Sequence, residues 1–417
     1  MTPQAGPIPV AEALSLVLAR AAVLPPQPAA LDRALGLILA EDIRADLDLP
    51  PFRKALVDGF AFRTADAEGP GEHTLRVGET ILAGQTPSRP LEPGEAFGIM
   101  TGAPLPDGAD AVAMVERVRV LPDGSIVLPG PLAPGANWME RGQEMKAGDI
   151  VIAAGSRLGP ARLGVLASVG RATVLARPRP VVSVLSTGDE LVPADRQPGP
   201  GQIRDSNSPT LRALARGWGA SVRANPIAPD DPDGLRRSIG EALRWTATDP
   251  DDPGDADVLL ISGGVSAGQK DLVPSTLAAL GVEPVFHHVR VKPGKPLWFG
   301  VGPARGDRPG TLVFGLPGNP ASGVVNFLLF VRPALDALSG RSPDRPYETT
   351  GRLAAPFRHR GDRPTYHPAT IDGDRIAPLA WAGSADLRSI GLADGFAAFP
   401  SGDRSYEEGD AVGFLRF

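Results

Sequence analysis

The stretch Leu259-Leu-Ile-Ser-Gly-Gly-Val-Ser-Ala-Gly268, with Lys292-Pro-Gly-Lys-Pro296 and Leu316-Pro-Gly-Asn-Pro320 downstream, decides how this chain is read. Each glycine turn follows an apolar run that predicts a buried strand: Val258 to Ile261, Val285 to Val291 and Thr311 to Phe314. Glycine turns at the carboxyl ends of parallel strands share one crevice, which is where open α/β sheets bind ligands. Glycine lets backbone N–H groups approach phosphate oxygens closely. The candidate cradle is therefore Ser262, Gly263, Gly264, Ser266, Pro293, Gly294, Pro317, Gly318 and Asn319. Lys292 and Lys295 add compact, mobile positive charge. Lysine is otherwise confined to Lys54, Lys146 and Lys270, so two within four residues stand out against a solvated surface turn.

Working outward, the 417 residues have room for two to four domains with sizeable cores. A hydrophobic share of 42% with 22% charged residues describes a globular chain, and a net charge of −6 argues against a nucleic-acid role. No unbroken apolar run reaches the roughly 18 residues of a membrane span. Residues Met1 to Pro9 lack a basic segment followed by an apolar core, so a cytoplasmic location with no membrane partner is expected. The absence of cysteine excludes disulfides and thiolate metal sites.

The patterning predicts a multidomain α/β plus β chain. Residues 1–45 read as the helical part of an elongated N-terminal domain, with an amphipathic pattern over 8–24 and a second apolar segment, Leu31 to Ile43. Residues 46–140 read as a small β domain, because short apolar runs alternate with Gly and Pro. Residues 141–178 return to the elongated domain. Residues 179–340 alternate strand and helix as a parallel α/β domain, including a helix from Ser208 with Ser208 as its cap and another over 233–246. After a proline-rich linker, residues 347–417 read as a C-terminal β-barrel-like domain.

Further candidates surround the cradle. Ser186-Thr-Gly-Asp-Glu190 follows the strand Val181 to Leu185 and offers Ser186, Thr187 and Gly188 to a ligand, with Asp189 and Glu190 as oxygen donors for Mg²⁺. The same acids would also complement a helix dipole. Asp205-Ser-Asn207 can bond a sugar or ring edge, or simply cap a helix. Asp230 and Asp231 can complete a cation site or cap the next helix. Asp271, facing a phosphate pocket, makes sense as a metal ligand or a base. Asp58 lies in a glycine turn, and Thr101 lies on the long loop Met100 to Ala111 that also carries Asp107 and Asp110. No Walker string, His-Glu-x-x-His or nucleophile elbow is present.

In order along the chain, Pro50-Pro-Phe52 with Asp58-Gly-Phe60, Met100-Thr-Gly-Ala-Pro-Leu-Pro-Asp-Gly-Ala-Asp-Ala111 and Ser186-Thr-Gly-Asp-Glu-Leu191 are followed by the three turns quoted above. Together they resemble the molybdopterin molybdenumtransferase family, MoeA and the gephyrin E domain. The resemblance implies an elongated homodimer that binds adenylylated molybdopterin, inserts molybdenum from molybdate and releases AMP with the help of Mg²⁺. It implies a site between the α/β domain of one subunit and the β domain of the other, and a molybdopterin adenylyltransferase as a further partner. Carried over by position, Asp58, Thr101, Glu190, Asp271, Lys292 and Lys295 become the catalytic candidates, and Glu190, Asp231 and Asp271 the metal ligands. The chain departs from the family at Arg53, Lys54 and Ala55, where Asp, Asn and Ser are usual, at Met139 in place of an arginine, and at Tyr366, His367 and Pro368, where Phe-x-Arg with a plausible oxyanion-binding arginine is usual. The lost polar groups at 53–55 favour an alternative function, a non-catalytic pterin-cofactor binding or scaffold protein.

Overall fold

The structure is a computed structural model and describes residues 6–128, 130–243, 255–265, 272–304, 309–342 and 348–417. Ser266 and Asp271 lie outside the described residues. The chain divides into two compact units, one of residues 1–28, 36–40 and 175–417, the other of residues 29–35 and 41–174.

The first unit is organised by a six-stranded sheet. Its strands are β1 (Val181–Ser186), β2 (Ser221–Ala224), β3 (Val258–Ser262), β4 (Glu283–His287), β5 (Trp298–Val301) and β6 (Leu312–Leu316), in the order β2-β1-β3-β6-β5-β4. β1, β3 and β6 are buried at every position. That explains why they read as nearly continuous apolar runs: helices cover both faces. Val182, Val184, Leu260 and Phe314 face a core shared with the helices Val10–Leu18, Asn207–Gly217 and Pro320–Leu338. Their alternating neighbours Leu185, Leu259, Ile261 and Val313 face the helices Pro232–Leu243 and Val273–Ala279.

Only part of the sheet is parallel. β4 ends at His287 rather than Val291, and β5, a return strand that the turn-by-turn reading passes over, lies antiparallel between β4 and β6. Two reversals leave β4 running in the direction of β6, so the Lys292 turn still departs from its carboxyl end. The chain from His288 to Leu297 is a folded connection instead of extended strand. Lys295 O accepts from Val289 N and Leu297 N, both at 2.9 Å.

The helix Pro320–Leu338 is long and apolar enough in composition to cross a membrane, yet 89% of its most apolar window is buried inside the fold. It is the core helix of this unit. Ser322, Asn326, Arg332 and Asp336 interrupt its apolar runs, which is why no unbroken stretch marks it in the sequence. Its π-helical turn, Phe327–Val331, precedes Pro333, which lacks the N–H that regular helix needs.

The same unit holds a closed five-stranded barrel made of Glu348–Leu353, Arg375–Pro378, Thr365–Asp372, Gly395–Phe399 and Ala411–Arg416. Leu353, Ala369, Ile376, Phe399 and Phe414 fill it. The barrel meets the Lys292 turn directly. Lys292 N donates to Pro364 O at 2.9 Å, and Tyr366 N donates to Lys292 O at 2.8 Å.

The second unit contains the small β domain, a six-stranded sheet ordered Ala111–Met114, Gly59–Phe62, Glu95–Ile99, His73–Ile81, Ile126–Leu128 and Arg119–Val120. The N-terminal segment is less helical than its pattern suggests. Among its described residues helix covers only Val10–Leu18, and the apolar stretch Leu31 to Ile43 breaks into a 3₁₀ turn at Leu31–Arg33 and two short strands, Ile38–Leu39 and Ile43–Arg44. Gly36, at φ 82°, ends the turn in a conformation that helix cannot continue.

Candidate functional site

Strand register assembles the crevice. In the parallel ladder Ser186 pairs with Ser262 and Ser262 with Leu316, so three glycine turns start side by side, with neighbouring strands about 4.8 Å apart. The strand order reverses between β1 and β3, and the crevice outside that switch point is where open α/β sheets take their ligands. Backbone bonds join the turns: Thr187 N donates to Ser262 O at 3.0 Å, and Gly263 N donates to Leu316 O at 3.0 Å. Gly263 has φ 101°, and a Cβ there would lie 2.6 Å from Thr187 O, so no other residue fits between the two turns.

The Lys292 turn is tied into the same network. Asn326, buried on the core helix, donates from Nδ2 to Gly294 O at 3.1 Å. His287 Nε2 bonds Val265 O at 3.0 Å, linking the end of β4 to the Ser262 turn. Lys292 and Lys295 are exposed, and neither side chain makes a hydrogen bond or ion pair among the described residues. Their charge acts on their surroundings: Lys295 helps to depress the titration of His288, and Lys292 that of His367, in both cases behind the larger effect of burial.

The acids around Thr187 divide by role. Thr187 Oγ1 donates to Asp230 Oδ1 at 2.6 Å, and Asp230 N donates to Asp189 Oδ1 at 3.1 Å. Glu190 folds back over Gly188, its carboxylate 2.5–2.8 Å from where a Cβ of that glycine would stand. Asp231 instead starts the helix Pro232–Leu243, its Oδ1 accepting from Asp233 N at 3.1 Å and Gly234 N at 2.8 Å. Asp205 caps the helix Asn207–Gly217, with Oδ1 accepting from Asn207 N and Ser208 N, both at 3.0 Å. Ser208, expected as that cap, bonds Ser186 Oγ at 2.7 Å instead. Asn319 Nδ2 donates to Ser384 Oγ at 2.9 Å. Pro317 is buried beside the exposed Gly318.

In the small β domain, Asp58 and Thr101 meet. Asp58 Oδ1 accepts from both Thr101 N and Thr101 Oγ1 at 2.7 Å. These two bonds, the backbone one first, hold the Asp58 carboxyl below its ordinary range.

The residues that depart from the family pattern find partners within the same unit. Arg53 reaches Asp107 Oδ1 at 3.3 Å and Ala109 O at 3.3 Å, and its guanidinium lies 5.6 Å from the Trp138 ring centroid. Trp138 Nε1 donates to Asp110 O at 2.8 Å, so both side chains grip the loop that carries Thr101. Lys54 pairs with Glu144 at 3.4 Å, and Met139 lies opposite Lys54 in a two-strand pairing that also sets Trp138 against the buried Ala55. We expect a double-mutant cycle of Arg53→Ala and Trp138→Ala, followed by chemical denaturation, to give a coupling of about 0.5–1 kcal/mol. Additive losses would mean that the stacking contributes nothing.

His367 sits in the barrel wall, its Nε2 donating to Leu379 O at 2.7 Å and its ring edge-on to Trp381 and Phe357. Burial, above all, pushes its titration below the ordinary 6.5, so the ring is neutral at pH 7. Between that lowered value and 6.5 the unfolded chain binds more protons than the folded one. The contribution of His367 to stability is therefore full above pH 6.5 and is lost as pH falls through the folded value. His367→Gln, which keeps a donor for Leu379 O and cannot titrate, should flatten the decline in melting temperature below pH 6.5. An unchanged slope would assign that decline to other groups.

In the sequence Asn207 and Asp230 read equally as helix caps, and no local pattern gives His287 or Trp138 a role. Their roles depend on partners far along the chain, which no local pattern reveals.

Comparison with known proteins agrees with this architecture. Residues 8–170 match the MoeA N-terminal region (domain I and II), residues 183–337 the probable molybdopterin binding domain, and residues 350–417 the MoeA C-terminal region (domain IV). A molybdopterin molybdenumtransferase from Staphylococcus aureus (strain Mu50 / ATCC 700699) is 32% identical over 416 residues, covering 98% of this chain and 95% of that protein. One from Staphylococcus epidermidis is 32% identical over 413 residues, covering 97% and 94%. The crystal structure of a molybdopterin biosynthesis MoeA protein from Pyrococcus horikosii superposes with TM-score 0.80 at 33% identity and 98% coverage of both chains. The chain belongs to the molybdopterin molybdenumtransferase family, an enzyme family of molybdenum cofactor biosynthesis.

Proposed function

We propose that this protein inserts molybdenum from molybdate into adenylylated molybdopterin and releases AMP. The observation that carries the reading is the in-register meeting of the Ser186, Ser262 and Leu316 turns at the sheet's switch point. Backbone N–H groups of the glycine turns and the Ser262 hydroxyl suit the phosphate oxygens, and Lys292 and Lys295 neutralise their charge, while the Ser186 and Thr187 hydroxyls donate to Asp205 and Asp230. Asp58, held ionised by Thr101, supplies an anionic acceptor on the small β domain.

The family also implies Mg²⁺. Among the described residues no three acidic or histidine side chains form a ready-made cage. Mg²⁺ does not need one, because it keeps several waters and takes one or two carboxylates beside substrate phosphates. Glu190 and Asp230, all-oxygen donors at the Thr187–Gly188 turn, fit that requirement. Asp230 suits it better than Asp231, one of whose oxygens is committed to the helix start. Asp271, beyond the described residues, completes the proposed set. When bound, the ion would draw charge from the phosphate oxygens as the adenylate is cleaved.

The alternative, a non-catalytic pterin-binding scaffold, draws on His367. Neither that neutral ring, engaged with Leu379 O, nor Pro368 beside it brings the positive charge of the arginine usual in this segment. Complementation of a molybdenum-insertase-deficient strain separates the two, since only the transferase restores molybdoenzyme activity.

The proposal includes action in the cytoplasm, a homodimer, and receipt of substrate from a molybdopterin adenylyltransferase. Sedimentation at micromolar concentration should give a dimer's mass, and a lone monomer would count against it.

A further inference from the structure

We propose that Asn207 is a positioning residue for the phosphate-binding turns: it fixes Gly318 and orients the Ser262 hydroxyl toward the ligand. This rests on the function proposed above. Asn207 stands at the start of the helix Asn207–Gly217, and its Nδ2 donates to two different turns, to Ser262 Oγ at 2.8 Å and to Gly318 O at 2.7 Å. These partners lie 55 and 111 residues further along the chain. The orientation of the amide follows from chemistry: Gly318 O can only accept, so the NH₂ must face it. Asn207 is itself anchored to the end of β1. Asp205 Oδ1 accepts from Asn207 N at 3.0 Å and from the buried Ser186 Oγ at 3.1 Å. One residue thus links the ends of β1, β3 and β6, its side chain to Ser262 and Gly318 and its backbone N through Asp205 to Ser186.

Two consequences follow. Gly318 is exposed, and a Cβ there would have only Gly263 Cα, at 4.0 Å, within reach. The open face of Gly318 meets no packing, and the Asn207 bond ties its carbonyl. Ser262 Oγ, buried and accepting from Asn207, has its own hydrogen left to donate, and a phosphate oxygen in the crevice is an acceptor for it. Asn207 therefore sets the direction of the chain of hydrogen bonds: amide to hydroxyl, hydroxyl to anion.

Reversing that direction tests the idea. In Asn207→Asp the carboxylate accepts only, so Ser262 turns its hydrogen away from the ligand and Gly318 loses its tether. We expect Asn207→Ala to bind adenylylated molybdopterin about tenfold more weakly, and Asn207→Asp about a hundredfold or more. KM should rise while kcat for AMP release is largely kept, and the melting temperature should stay near that of the wild type. Ser262→Ala should weaken the wild type yet cost nothing further in Asn207→Asp, because the hydroxyl no longer serves the ligand there. The role is overturned if both Asn207 variants bind as the wild type does, if affinity falls only in step with melting temperature, or if Ser262→Ala costs the same in both backgrounds. Failure of the wild type itself to bind adenylylated molybdopterin would overturn the proposed function instead, which keeps the two outcomes distinct.

Discussion

Lys292→Ala and Lys295→Ala should each weaken binding of adenylylated molybdopterin by about ten- to a hundredfold. A hydrogen bond between a charged group and its partner contributes roughly 1.5–3 kcal/mol, and each factor of ten is about 1.4 kcal/mol. Both lysines are exposed on the turn between β4 and β5, and neither has a side-chain partner among the described residues. The substitution therefore leaves no buried acid behind, and the loss falls on the ligand and not on folding. The turn itself is held by backbone bonds to Pro364 and Tyr366 and by Asn326, none of which involves a lysine ammonium group. Calorimetric titration of both variants measures the effect. Wild-type affinity in both would remove the lysines from the site.

Glu190→Gln should leave binding largely intact and lower the rate of AMP release by at least about a hundredfold, since a bound metal stabilises the transition state by several kcal/mol. The amide keeps the shape of the side chain folded over Gly188 and removes its charge. If Glu190 served only the fold, the variant would release AMP at the wild-type rate and added Mg²⁺ would affect the two proteins alike. A metal ligand instead predicts that the variant needs more Mg²⁺ for its residual activity. The single-turnover rate as a function of Mg²⁺ concentration separates these outcomes.

The sequence carried the crevice well because its elements are local. Each of the runs ending at Ile261 and Phe314 is buried at every position and almost wholly apolar, as a strand covered on both faces must be, and each is followed by a glycine turn. The Asp58–Thr101 pairing was legible only as two ordinary turns, 43 residues apart, until strand pairing brought them together. The second half of Val285 to Val291 was misleading because Val289 and Val291 are buried in a folded connection, where apolar character reports burial and not extension. β5 was hidden because it follows the Lys292 turn at once, with no turn signal of its own. Asp230 and Asp231 are indistinguishable as neighbours in a sequence. Only the hydrogen bonds, one to Thr187 and one to a helix start, assign them different work. Arg53 reads as an isolated departure and Trp138 shows no role of its own in the sequence, yet the two meet in space and grip the loop bearing Thr101.

The most direct test of the transferase reading is the release of AMP by the purified protein given adenylylated molybdopterin, molybdate and Mg²⁺. The account predicts one AMP per pterin consumed, together with a product that reconstitutes an apo-molybdoenzyme. Tight binding of adenylylated molybdopterin with no AMP released under these conditions would contradict it and leave a cofactor-binding scaffold in its place.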